Sequence, residues 1–336
     1  MNNVYNAIII DQNYCPFANC PKKDYGAVGD GQTDNTKVVE DSMDKELLHG
    51  LITNAKRHRI VNPYPWYGSL VFLALTIFVT NATIENISSV DSKFFHIHIF
   101  ESRNIIFDSI KISAPGDSPN TDGIHIANSA NIQVGNSVIG TGDDCISIGP
   151  GCTNLTIFSV LCGPGHGISV GSLGKNADEK DVIGLNVSKC NLTGTTNGLR
   201  IKTLQSSPSR LKATGFLFEH IIMNNVYNPI IIDQNYCPSA NCPKKVYLIA
   251  PTTAKYIIID PSLVKITDIK YRHITGTFLS SVAQNLVCSE AAPCEGVELS
   301  DISLKYNGNE KQAENASTCV HVHGSSNGNV KPDPCI

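Results

Sequence analysis

The sequence is poor in charge. Asp, Glu, Lys and Arg make up 17% of 336 residues, and 30 acids against 26 bases give a net charge of −4. That balance excludes an electrostatic nucleic-acid binder, which needs a basic face. A hydrophobic content of 41% excludes a disordered chain. Long apolar runs are missing too. The longest predominantly apolar stretch, residues 70–79, is far shorter than the ~20 residues of a membrane-spanning helix. The opening MNNVYN has no basic residue ahead of its apolar AIII, so the charge order of a secretory leader is not visible. Helical periodicity is scarce. Residues 37–50 alone read as a short helix, ending at Gly50 and suited to capping an open end. There is no Cys-x-x-Cys or His-x-x-x-His metal pattern, no phosphate-cradling glycine loop and no Ser/His/Asp constellation.

What is present points outside the cell. Twelve cysteines form an even set, several at close spacing, and six Asn-x-Ser/Thr triplets begin at Asn81, Asn86, Asn154, Asn186, Asn191 and Asn315. Together they favour disulfides and glycosylation in an oxidising compartment over buried free thiols. One repeat is literal: residues 1–23 recur at 223–245 with only Ala7/Pro229 and Phe17/Ser239 different. So close a copy reads as a recent duplication or a gene-assembly artefact. The expected organisation is a copied block, 1–23, ahead of one domain, 24–336.

A subtler repeat sets the fold class. Apolar pairs two residues apart recur at Ile97/Ile99, Ile124/Ile126, Ile146/Ile148, Ile168/Val170, Leu199/Ile201 and Ile230/Ile232, in steps of 27, 22, 22, 31 and 31. A second series, Ile105/Phe107, Ile132/Val134, Leu155/Ile157, Leu185/Val187 and Phe216/Phe218, keeps pace in steps of 27, 23, 30 and 31. Period-two alternation marks half-buried strands. Two strands per 22–31-residue turn, with Gly/Asn corners, predict an all-β, single-stranded parallel β-helix. Residues 51–80 show no clear rung rhythm.

The same alignment gathers the chemistry. Asp122, Asp144 and His166 each stand two residues before the first apolar member of their rung, at Ile124, Ile146 and Ile168. They therefore stack on one face, with Asp143 beside Asp144 and with Arg200 and Lys202 on later outward positions. A single Asp in a Gly-Asp-Asp corner commonly caps a turn, and a His between two glycines commonly fills one. Three carboxylates packed together are different, because like charges raise at least one pKa. Folding does not need that, and acid catalysis does. Paired acids suit glycoside hydrolysis, and the cations suit an anionic sugar. Calcium binding by the same acids is the chemical rival.

These motifs, Asn120-Thr121-Asp122, Gly142-Asp143-Asp144, Gly165-His166-Gly167 and Arg200-Ile201-Lys202, together with DYGAVGDG at 24–31, resemble the plant-type polygalacturonases, pectin-degrading members of glycoside hydrolase family 28. The resemblance implies a right-handed parallel β-helix that hydrolyses α-1,4 bonds of polygalacturonan with inversion. Asp143 would be the general acid, Asp122 and Asp144 would activate water, and His166 would support the acid. Asn120, Arg200, Lys202 and Tyr236 would bind substrate. The acid and base should stand roughly 6.5–9.5 Å apart. No cofactor or metal is implied. The partner would be pectin alone, met by a secreted monomer in the cell wall or apoplast. The resemblance also implies disulfides Cys145–Cys162, Cys288–Cys294 and Cys319–Cys335, with Cys237–Cys242 as a fourth.

The chain departs from the family in three places. Residues 37–79 match little and suggest missing N-terminal rungs, 246–264 look inserted, and the copied block stands where a leader is expected. PCEGVEL at 293–299 is similar to exo-acting members, but the sequence does not choose between exo and endo action. Two other readings stay open: a non-catalytic or misfolded uronan-binding member, and a calcium-dependent pectate lyase.

Overall fold

The computed structural model describes residues 59–61, 75–77, 79–92, 94–238, 261–309 and 316–336. The anticipated helix at 37–50, the copied block and most of 246–264 lie outside them.

The described chain is all strand, turn and bend, with every strand pair parallel. One sheet, which carries the site, stacks Leu75–Ile77, Ile97–Phe100, Ile124–Ala127, Ile146–Ile148, Ile168–Leu173, Asn197–Leu204, Asn228–Tyr236, Gln284–Val287 and Ser317–Val320 in that order. A second, larger sheet closes the coil behind it. Parallel strands joined by successive crossovers wind right-handed, giving a right-handed parallel β-helix.

Both apolar series fall in register. Ile97, Ile124, Ile146, Ile168, Leu199 and Ile230 are successive partners. So are Ile105, Ile132, Leu155, Leu185 and Phe216. Their side chains are buried and stack rung on rung. One interior column runs Phe107, Val134, Ile157, Val187, Phe218, Tyr271 and Leu299, with the Phe218 and Tyr271 rings stacked at 5.0 Å. Each such side chain contributes roughly 1.5–3 kcal/mol by leaving water, and each rung leans only on its neighbours.

The structure corrects the expectation of two strands per turn. A third, short strand recurs at Ser88–Val90, Lys111–Ser113, Val138–Gly140, Leu161–Cys162 and Asn191–Thr193. Two or three residues are too few to show alternation. The rung rhythm also begins earlier than expected: Leu75–Ile77 pairs with Ile97–Ile99, and Thr80–Glu85 with Arg103–Asp108. Beyond 246–260 the register resumes, since Lys265–Phe278 pairs with Lys212–Val226 and Gln284–Val287 with Ile230–Asp233.

Asparagine makes the corners. Asn81, Asn104, Asn131 and Asn154 have φ of 59°, 56°, 56° and 55°, a left-handed conformation that Asn tolerates better than most residues. The Nδ2 groups of Asn104, Asn131 and Asn154 each donate to the Oδ1 one rung earlier, at 2.7–2.8 Å. The three disulfides implied by the resemblance are formed. Cys237 is also disulfide-bonded; the expected partner, Cys242, lies outside the described residues. Cys152 and Cys190 are buried free thiols.

Candidate active site

Strand register builds the site. Asp122, Asp144 and His166 lead into strands whose first residues, Ile124, Ile146 and Ile168, are direct partners. Their side chains therefore line up on three successive rungs, about 4.8 Å apart. The glycines around His166 are required by backbone. Gly165 and Gly167 have φ of 146° and 81°, and a Cβ on Gly167 would lie 2.1 Å from the Asn197 carbonyl oxygen. No other residue keeps His166 where it is.

Asp143 and His166 face outward as a pair. His166 Nδ1 lies 2.9 Å from Asp143 Oδ1, with side chains 37% and 21% exposed. The Asp144 backbone N–H donates to the same Asp143 oxygen at 2.8 Å. Burial alone would raise the Asp143 pKa, but the hydrogen bond and charge of His166 outweigh it and hold the carboxyl below its ordinary range. The Asp143 hydrogen bond in turn raises His166 against the effect of burial. The proton of this pair thus rests mainly on His166.

Asp144 is buried and held on both oxygens. Oδ1 accepts from Ser169 Oγ at 2.6 Å and from Arg200 at 3.2 Å, and Oδ2 accepts from Lys202 Nζ at 3.1 Å. Arg200 Nε also reaches Ser169 Oγ at 3.2 Å. Arg200 and Lys202, expected at the substrate, are here paired to an acid. The Lys202 ammonium also sits 5.4 Å from the Tyr236 ring centroid, which ties Tyr236 to the set.

Asp122 is buried, and Ser147 Oγ donates to its Oδ2 at 2.5 Å. Burial, then the nearby Asp144 charge, pushes its pKa up to about 7; the Ser147 hydrogen bond opposes the rise. Asn120 is exposed with φ of 51°, a backbone reason for an Asn at this turn. One ligand atom each of Asp143, Asp144 and His166 lie within 4.8 Å of one another. That nearest-atom approach is short because Asp143 and Asp144 are chain neighbours. Asp122, on the preceding rung, lies outside this group. A divalent cation at this group would compete with Arg200 and Lys202 for the Asp144 oxygens.

Sequence reasoning missed Ser147, Ser169, His125 and Asp233. The first three are the middle residues of Ile146/Ile148, Ile168/Val170 and Ile124/Ile126, so the same alternation aims them outward beside the acids. Asp233 pairs with Lys202 in register, and burial raises its pKa.

Comparison with known proteins identifies the family. Residues 72–327 match glycosyl hydrolases family 28. A polygalacturonase of Brassica napus is 45% identical over 259 residues, 77% of this chain and 61% of that protein. An exopolygalacturonase of Zea mays is 42% identical over 259 residues, 77% of this chain and 59% of that protein. The chain thus spans about three fifths of the length of these relatives. Among solved structures, a polygalacturonase from Erwinia carotovora ssp. carotovora aligns with a TM-score of 0.51 at 25% identity, over 70% of this chain and 57% of that one. The family match takes in the acid, histidine and cation rungs together, and this chain belongs to glycosyl hydrolase family 28.

Proposed function

We propose that this chain hydrolyses α-1,4-glycosidic bonds of polygalacturonan with inversion, in the cell wall or apoplast. The observation that carries the reading is the stack of Asp122, Asp144 and His166 on registered rungs, with Asp143 half-buried beside His166 and two cations paired to Asp144. The names of the relatives support the substrate class.

Asp143 acts as the general acid, because it and His166 are the members of the set that reach solvent. Its proton comes from the pair: His166 Nδ1 holds it against Asp143 Oδ1, and the two titrate together. A galacturonate carboxylate entering beside them adds negative charge, which raises the proton affinity of Asp143. Asp122 is the base, poised near neutrality by burial, where general-base catalysis is efficient. Asp144 fixes Arg200 and Lys202 in place, and their remaining N–H groups face a uronate. Tyr236 packs on Lys202 beside them. No step calls on a cofactor, and the chain acts as a monomer.

The test follows reducing ends and viscosity together on polygalacturonic acid. New reducing ends support the reading. Fast viscosity loss with few ends marks endo action, and many ends with little viscosity loss mark exo action. Release of unsaturated, ultraviolet-absorbing products would make the chain a lyase instead.

A further inference from the structure

Asp122 does not stand alone. His125 lies on the strand that Asp122 leads into, and its Nδ1 is 2.6 Å from Ser147 Oγ, the hydroxyl that donates to Asp122 Oδ2 at 2.5 Å. Ser147 has one proton. If it gives that proton to an ionised Asp122, His125 Nδ1 must donate to Ser147 and carry the ring proton. If Asp122 is protonated on Oδ2, the chain runs the other way. The carboxyl donates to Ser147, Ser147 donates to His125 Nδ1, and the ring proton must sit on Nε2. A neutral imidazole satisfies both arrangements by exchanging tautomers, with the ring left in place.

We propose that His125 is a positioning residue that holds Asp122 through the Ser147 hydroxyl in both states of the carboxyl, exchanging its own tautomer as the Asp122 proton comes and goes. The exchange balances. One proton enters at Nε2, the Nδ1 proton passes to Ser147 Oγ, and the Ser147 proton passes to Asp122 Oδ2; the reverse returns it to water.

The surroundings keep His125 neutral, as this requires. Burial, with His98 and Lys202 nearby, lowers its pKa to about 4. The Phe95 ring stacks on it at 4.6 Å and 11°, and the His98 ring from the preceding rung lies at 5.3 Å. Asp143, Asp144 and Lys202 are the charged groups that act on Asp122. The assignment of Asp122 as base rests on the function proposed above; the tautomer exchange does not require turnover.

The first test is therefore spectroscopic. Nitrogen-15 shifts of the His125 ring are followed from pH 5 to 9, with the Asp122 carboxyl carbon followed in the same sample. The expected result is a proton on Nδ1 above the Asp122 midpoint and on Nε2 below it, with the change lost in Ser147→Ala. One tautomer throughout, or the same change in Ser147→Ala, overturns the proposal. The second test is the pH profile of kcat/KM. His125→Asn, whose amide can donate or accept by flipping, should keep the wild-type acid limb. His125→Phe, which keeps the stack on Phe95 but loses the hydrogen bond, should lower kcat/KM across the whole profile with the acid limb in place, because neither state of the carboxyl is then held through Ser147. Undiminished kcat/KM in His125→Phe, or equal losses in both variants, contradicts the positioning role.

Discussion

Lys202 Nζ lies 3.1 Å from Asp144 Oδ2 with both side chains buried, at 9% and 3% exposure. Residues 58 positions apart meet because the coil returns the chain to the same face two rungs later. Lys202, proposed above as a substrate cation, is thereby also the buried partner of Asp144 Oδ2.

Removing Lys202 should therefore do more than weaken binding. Lys202→Met leaves Asp144 with an unpaired oxygen in a buried place, and breaking one side of such a pair costs about 3–5 kcal/mol. The expected outcome is a lowered melting temperature, together with a fall in kcat and a rise in KM on polygalacturonic acid. A rise in KM with kcat and stability intact would mean that Lys202 serves substrate alone.

Asp143→Asn should abolish hydrolysis. The Asn keeps the outline of the acid but cannot donate a catalytic proton, so oligogalacturonate binding, measured by calorimetry, should stay within about threefold of wild type. More than a trace of turnover would remove Asp143 from the acid role.

Asp122 gives a pH-dependent stability. Its pKa is raised from 3.8 unfolded to about 7 folded, so the folded state binds this proton more tightly. The contribution is fully present below 3.8 and is lost as the pH rises through 7. Asp122→Asn should then stabilise the protein at about pH 7.5 by at least about 1 kcal/mol and leave it near wild type at about pH 4. Thermal melts at the two values check the sign; equal effects at both would contradict a raised pKa.

The Cys145–Cys162 bond starts on the residue after Asp144 and reaches the third strand of the same turn, closing a 17-residue separation. Opening it by the double substitution Cys145→Ala, Cys162→Ala should cost about 3 kcal/mol on chain-entropy grounds. Because the Gly142–Asp144 corner is tethered there, kcat should fall as well. Denaturant midpoints and rates on one preparation read both effects.

Much of the fold and the site is legible in the sequence because a β-helix writes its register into spacing. Ile124, Ile146 and Ile168 recur every 22 residues, so counting back two positions finds Asp122, Asp144 and His166 from residue numbers alone. The third strand of each turn is not legible, because Leu161–Cys162 is too short to alternate. Nor is the use of Arg200 and Lys202 as partners of Asp144, since outward residues on different rungs meet only through side-chain reach. Ser147 and Ser169 escape notice because a serine between two apolar residues carries no chemical signature until a carboxylate stands beside it. Burial and neighbours also reverse a simple expectation: the acid assigned to give a proton, Asp143, has a lowered pKa, and the base, Asp122, a raised one. The cause lies in what each acid touches: His166 holds Asp143 down, while burial and the Asp144 charge lift Asp122.

Inverting hydrolysis by Asp143 and Asp122 is tested most directly by the anomeric form of the first product. Proton NMR during the first minutes of digestion of α-1,4-linked oligogalacturonate should show the β-anomer appearing ahead of mutarotation, with no signal from Asp143→Asn. The α-anomer appearing first would contradict inversion, and with it the roles given to the two acids.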